Sequence, residues 1–209
     1  MNHPPISVEQ YSETEFTVRF FGLAHIATVV TSSAAYATLW VNDFLSTYDD
    51  DDDDDPSRFL VGLDVKYWRP ANNGVAVLQL CVDRRCLVFQ ILRCGAIPDA
   101  LSNFLSDERF TFIGVKIHED VRRLTLDYDD VWVGNVMDLR TLLVVVERER
   151  VAARRAELWL ARAILLWRAR NQSCVQMENW EEDHLSFEQI MCACMDAFIP
   201  FEMARRLLG

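Results

Sequence analysis

The chain has almost no lysine. Lys66 and Lys116 are the only two in 209 residues, and the other basic residues are all arginine, whose planar fork suits phosphate and carboxylate better than a compact ammonium does. No apolar run approaches the ~18 residues of a membrane span. Residues 1–20 include Glu9, Glu13 and Glu15 and lack both the basic start and the apolar stretch of a secretory leader. The expectation is a soluble intracellular protein of the nucleus, the cytoplasm or both. No pair among Cys81, Cys86, Cys94, Cys174, Cys192 and Cys194 has the C-x2-C spacing of a zinc site. Without a leader these are expected to be reduced core thiols.

With 51% hydrophobic and 25% charged residues, the composition is that of a folded domain and excludes wholesale disorder. The net charge of −11 is mostly local, because Asp49 to Asp55 is an unbroken acidic run that leaves only −4 on the rest of the chain. Such a run repels itself and predicts an exposed linker from Asp49 to Ser57, closed by Pro56.

Glu15 to Phe21 and His25 to Thr31 are β-branched and aromatic runs split at Gly22, a hairpin pattern. A helix capped by Ser32 or Ser33 is predicted to follow as far as Tyr48. Beyond the acidic run, Phe59 to Lys66, Val75 to Val82 and Cys86 to Ile91 read as three antiparallel strands joined by short turns. Helix (Ile97 to Asp107), strand (Thr111 to Val115), helix (Glu119 to Asp127) and strand (Val131 to Leu139) come next, an alternation that implies parallel pairing. Arg140 to Arg170 has no proline or glycine and eight arginines against three glutamates, which predicts a long helix or helix pair. After a connector to Asp183, Ser186 is placed to cap a last helix running to Leu208, with Glu188 or Gln189 in its first turn.

Three acids stand out by context. Asp64 interrupts an aliphatic strand, where a charge must face a polar site or be costly. Asp120 opens a helix, and Asp196 sits in a helix of otherwise buried residue types. Carboxylates from separate elements of one α/β domain can converge on a divalent cation, since magnesium prefers hard oxygen ligands.

The segments VGLDVKYWRP (61–70), VAVLQLCVDRRCLVFQ (75–90), FTFIGVKIHEDVRRL (110–124), NVMDLRTL (135–142) and ENWEEDHLSFEQIMCACMDAFIPFEMARRLL (178–208) resemble, in order, the Werner-syndrome-like 3′–5′ exonuclease domain. This is the DEDDy group of the RNase H-like superfamily, and the likeness is closest to its small plant members. The resemblance implies an α/β, RNase H-like mixed sheet flanked by helices. It divides the chain into residues 1–57, a hairpin, helix and acidic linker, and residues 58–209, the exonuclease-like domain.

The resemblance also implies a two-metal site taking magnesium or manganese, with the ions roughly 4 Å apart to stabilise the entering and leaving oxygens at phosphorus. Family members hold them with an Asp and a Glu two apart on the first strand and two further Asp residues, while a tyrosine orients the attacking water. Asp64, Asp120 and Asp196 match the three aspartates. The glutamate position holds Lys66 and the tyrosine position holds Cys192. Glu119 is no substitute, since adjacent helix positions point ~100° apart. Exchanging a carboxylate for an ammonium changes the local charge by two, and at ~4 Å with effective dielectric ~20 each unit interaction is about 4 kcal/mol. Weak or absent metal binding at Asp64, Asp120 and Asp196 is therefore expected.

Three functions stay open. The chain is an impaired or inactive member that binds DNA or RNA 3′ ends, an active exonuclease releasing nucleoside 5′-monophosphates, or a non-catalytic subunit in a homo-oligomer or a mixed oligomer with active relatives. Arg84, Arg85, Arg122, Arg123 and Trp180 are the candidate nucleic-acid contacts.

Overall fold

A computed structural model describes residues 6–20, 24–49, 59–67, 74–129, 131–147 and 179–208. Eight strands form one sheet: β1 (Ile6–Gln10), β2 (Glu15–Phe20), β3 (Ala24–Thr31), β4 (Leu60–Tyr67), β5 (Val75–Val82), β6 (Arg85–Phe89), β7 (Thr111–Gly114) and β8 (Asn135–Asp138). Their spatial order is β1-β2-β3-β6-β5-β4-β7-β8. β4, β5 and β6 are the expected antiparallel trio, and β7 and β8 extend it in parallel. The hairpin β2–β3 forms as expected and joins the same sheet, because β3 pairs in parallel with β6. β1, an edge strand on β2, was not anticipated.

Among the described residues six helices flank the sheet: α1 (Ala34–Asp49), α2 (Ile91–Cys94), α3 (Asp99–Ser106), α4 (Ile117–Asp127), α5 (Leu139–Glu147) and α6 (Phe187–Leu208). One predicted strand proves shorter. Of Val131 to Leu139 only Asn135–Asp138 pairs, and the chain turns into α5 at Leu139. The arginine-rich helix is described only as far as Glu147, and the acidic run only at Asp49, the last residue of α1. The rest of both lies outside the described residues.

Every residue of β5 is buried, since helices cover both of its faces. On one face α1 and α3 pack on Val61, Leu63, Val65, Leu78, Leu80 and Leu87. On the other, α6 packs on Val77, Cys81, Cys86 and Val88. Alternation along β4 puts Gly62, Asp64 and Lys66 on the α6 face. A Cβ at Gly62 would stand 2.0 Å from the Ala197 carbonyl oxygen, so the absence of a side chain is what lets α6 close on β4. The start of α6 is a capping box as predicted: the Gln189 backbone N–H donates to Ser186 Oγ at 3.2 Å, and Gln189 Oε1 accepts from the Ser186 N–H at 2.8 Å. Pro200 lies inside α6 and has no N–H to give the carbonyl of Asp196.

Cys81, Cys86, Cys192 and Cys194 are buried free thiols, Cys94 is half-buried, and Cys174 lies outside the described residues. Burial pushes the Cys81, Cys86 and Cys194 thiols up from their ordinary range, which keeps them protonated and inert.

Candidate functional site

β4 and α6 bring Asp64, Lys66 and Asp196 together. The Lys66 ammonium donates to Asp64 Oδ2 and to Asp196 Oδ2, each at 2.5 Å. All three side chains are largely buried, with exposures of 14% for Lys66, 18% for Asp64 and 25% for Asp196. Burial works against the ammonium, but the Asp196 and Asp64 carboxylates outweigh it and hold Lys66 above its ordinary range. Burial is also the main reason the Asp64 carboxyl is pushed up to about 6, and the Asp196 charge adds to it against the pull of Lys66.

Asp120, in the first turn of α4, faces the same charges. Burial, then the Asp64 carboxylate, raise it to about 8, while Lys66 and Arg123 oppose the shift. Its place depends on a residue whose role was not foreseen. Asp138, nearly fully buried at the end of β8, accepts from the Lys116 backbone N–H at 3.1 Å and from the Arg140 guanidinium at 2.6 Å. The Arg140 contact leads in holding its carboxyl below the usual range. Lys116 has φ 64 at the start of α4, a left-handed conformation that costs energy in a non-glycine residue, and the Asp138 hydrogen bond fixes it there.

Gln79 was also missed. It lies directly opposite Asp64 on β5 and therefore on the same face, is fully buried, and its Oε1 has no hydrogen-bond partner. Trp180 is buried, with Lys66 Nζ 6.0 Å from its ring centroid, so its indole backs the lysine and offers no open face to a base. Arg123 stacks on Tyr67, with 3.8 Å from guanidinium carbon to ring centroid, beside the β4 segment that carries Lys66. Arg122 is exposed on α4.

The remaining expected residues lie elsewhere. Cys192 is one helical turn before Asp196 and fully buried in the α6-side core. Arg84 and Arg85 are at the β5–β6 turn, the opposite end of the strands from Lys66. Lys66 faces Val77, so the turn is ~20 Å further along the ladder at ~3.3 Å per residue. Arg85 is held there by Asp43 of α1 at 3.0 Å.

The implied metal pair does not fit these residues. The ammonium of Lys66 sits against both carboxylates that would face a cation. Among the described residues no group of three His, Cys, Asp or Glu side chains is arranged to hold a metal ion.

No family model matches the chain. An Arabidopsis thaliana protein named 3′–5′ exonuclease is 29% identical over 157 residues, covering 70% of this chain and 52% of the relative. A Drosophila melanogaster protein named exonuclease 3′–5′ domain-containing protein 2 is 28% identical over 138 residues, covering 66% of this chain and 23% of the relative. The chain thus spans about half the length of the plant relative and about a quarter of the fly one. The catalytic core of RRP6 from Trypanosoma brucei shares the fold with a TM-score of 0.63 at 13% identity, over 95% of this chain and 50% of that one. The EXD2 exonuclease domain soaked in Mg and GMP superposes with a TM-score of 0.50 at 23% identity, over 87% and 88%.

A mixed sheet with Asp64 on a central strand, Asp120 opening a helix and Asp196 on the last helix is an RNase H-like fold, shared with the RRP6 catalytic core. Within that fold class, the relatives to which this chain is similar in sequence are named 3′–5′ exonucleases.

Proposed function

We propose that this chain binds nucleic-acid 3′ ends with a degraded exonuclease site, in which a protein ammonium takes the place of the catalytic metals and phosphodiester hydrolysis is impaired or lost. The observation that carries this reading is the Lys66 ammonium held 2.5 Å from both Asp64 and Asp196. A divalent ion entering the same space would have to displace a lysine that both carboxylates keep charged. Cys192 adds to the deficit, because a buried thiol is too short to orient water as a tyrosine phenol does. Asp64, Asp120 and Asp196 remain the residues that face a bound 3′ terminus. Beyond Lys66, Arg122 and Arg123 on α4, the helix that Asp120 opens, are the candidate phosphate contacts.

The test compares wild type with Lys66→Glu/Cys192→Tyr on labelled single-stranded DNA and RNA, with magnesium or manganese. Wild type is expected to bind the 3′ ends equally well in EDTA and to release no nucleoside 5′-monophosphate, with little thermal shift from either metal. The double variant is expected to gain a metal-dependent thermal shift, because a ligand that binds only the native state stabilises it by RT ln(1 + [L]/Kd), or ~2.7 kcal/mol at a hundredfold excess over Kd. Metal-dependent digestion by wild type at ordinary enzyme rates of ~1 s⁻¹ or faster would defeat the reading.

A further inference from the structure

A hollow of about 420 Å³ opens where the ends of β2 and β3 meet the starts of α1 and α6. It lies at the same end of the sheet as Lys66. Register aligns Lys66 with Val77, and the pairs Leu78↔Phe89 and Thr31↔Phe89 carry that level on to Gln90 and Ser32, both of which line the hollow. Three strand spacings of ~4.8 Å put it ~14 Å to the side of Lys66. Beyond the ends of the strands is where open α/β sheets bind ligands.

One segment walls both places. Trp180 backs Lys66, and residues 183–185 line the hollow. Gln90, itself buried in the hollow's wall, fixes that segment by donating through Nε2 to the Glu182 carbonyl at 2.9 Å.

The lining decides the ligand's chemistry. Among the described residues no arginine or lysine lines it, while Glu13, Asp183 and His184 do, Asp183 being paired with Arg93. Two carboxylates on the wall against a single imidazole disfavour a phosphate there. Phe187 and Tyr36, 49% and 53% exposed, offer aromatic surface at the rim, and the hydroxyl-bearing Ser32 and Ser33 line the wall beside them. Flat apolar faces with a polar, uncharged edge describe a nucleobase, and the volume is in the range of ~300–1,000 Å³ that suits a small organic group.

We propose that this hollow is a nucleobase subsite, which takes an unpaired base of the strand whose 3′ end lies at Lys66. The inference rests on the nucleic-acid reading above. Stacking on Phe187 supplies affinity without counterion release, so its loss weakens binding and leaves the salt dependence alone.

The test is fluorescence anisotropy of a single-stranded oligothymidylate in EDTA, with an abasic residue walked along the strand from its 3′ end. Phe187→Ala is expected to weaken binding about tenfold with an unchanged salt slope. Phe187→Tyr, which keeps the ring, is expected to restore it and so to exclude a folding defect. One abasic position should weaken wild type by a similar factor and weaken Phe187→Ala no further. Wild-type binding with a flat abasic walk, or unchanged affinity in Phe187→Ala, overturns the subsite alone. Failure of wild type to bind any oligonucleotide overturns the nucleic-acid reading and the subsite with it.

Discussion

Val61, Leu63 and Val65 of β4 point into a dry core under α1 and α3, where Phe44, Phe104, Phe110 and Phe112 pack edge to face with centroids 4.9–5.7 Å apart. Gly62, Asp64 and Lys66, the residues interleaved with them, point under α6 into a layer that holds an ion triad, the orphaned Gln79 oxygen and most of the thiols. One strand thus serves a face that is all packing and a face that carries buried charge. The aromatic face is nearly all carbon, with the Tyr128 hydroxyl at its edge donating to the Val75 carbonyl, so its stability comes mainly from area and fit. The α6 face keeps charged groups that are costly to bury, the pattern found at functional sites.

The sharpest check on this contrast is Phe104→Ala. It should cost about 4 kcal/mol in urea unfolding, since a fully buried ring is lost from a four-ring cluster. A loss under ~1 kcal/mol would mean the α1 face is not the structural one. On the other face, Lys66→Met leaves two buried carboxylates facing each other and should cost about 3 kcal/mol at pH 8. That cost should shrink at pH 5, because Asp64 already titrates near 6 with the lysine present and takes up a proton more readily without it. An equal cost at both pH values would show that the ion triad does not govern the face.

Asp120→Asn tests the same coupling at smaller amplitude. The folded carboxyl sits at about 8, above its ordinary value of 3.8, so the native state binds the extra proton and stability falls as pH rises through that window. Removing the charge should flatten the stability profile between about pH 4 and 8 and raise stability at pH 9 by on the order of 2 kcal/mol, discounted for the solvent that reaches this carboxyl. Chemical unfolding across that range reads it, and an unchanged slope would remove Asp120 from the coupled set. The smallest effect belongs to Arg123→Ala, which loses the stack on Tyr67 and should cost about 0.5–1 kcal/mol with no change in the pH profile.

Among the described residues no helix is long and apolar enough to cross a membrane. The strands of the central sheet were legible because their alternation and turns are local. β1 was not, since ISVEQ is a five-residue edge strand with only Ile6 and Val8 on its buried side, too short for its alternation to stand out. The candidate site was legible where the motif order carried it, at Asp64, Lys66, Asp120 and Asp196. Asp138 and Gln79 were invisible as contributors, because the clamp on Lys116 and the unpaired oxygen beside Asp64 exist only once β8 meets α4 and β4 meets β5.

What the sequence determined by itself is the local geometry: with side chains alternating along a strand, Gly62, Asp64 and Lys66 share a face however the chain folds. What only the tertiary structure decided is that the cation at Lys66 meets Asp196, 130 residues away. That contact needs a helix to come close enough to a strand to touch its backbone, as Ala197 does at Gly62. Such an approach is set by packing the whole α6 face at once, since no short-range preference of either segment specifies the distance between them.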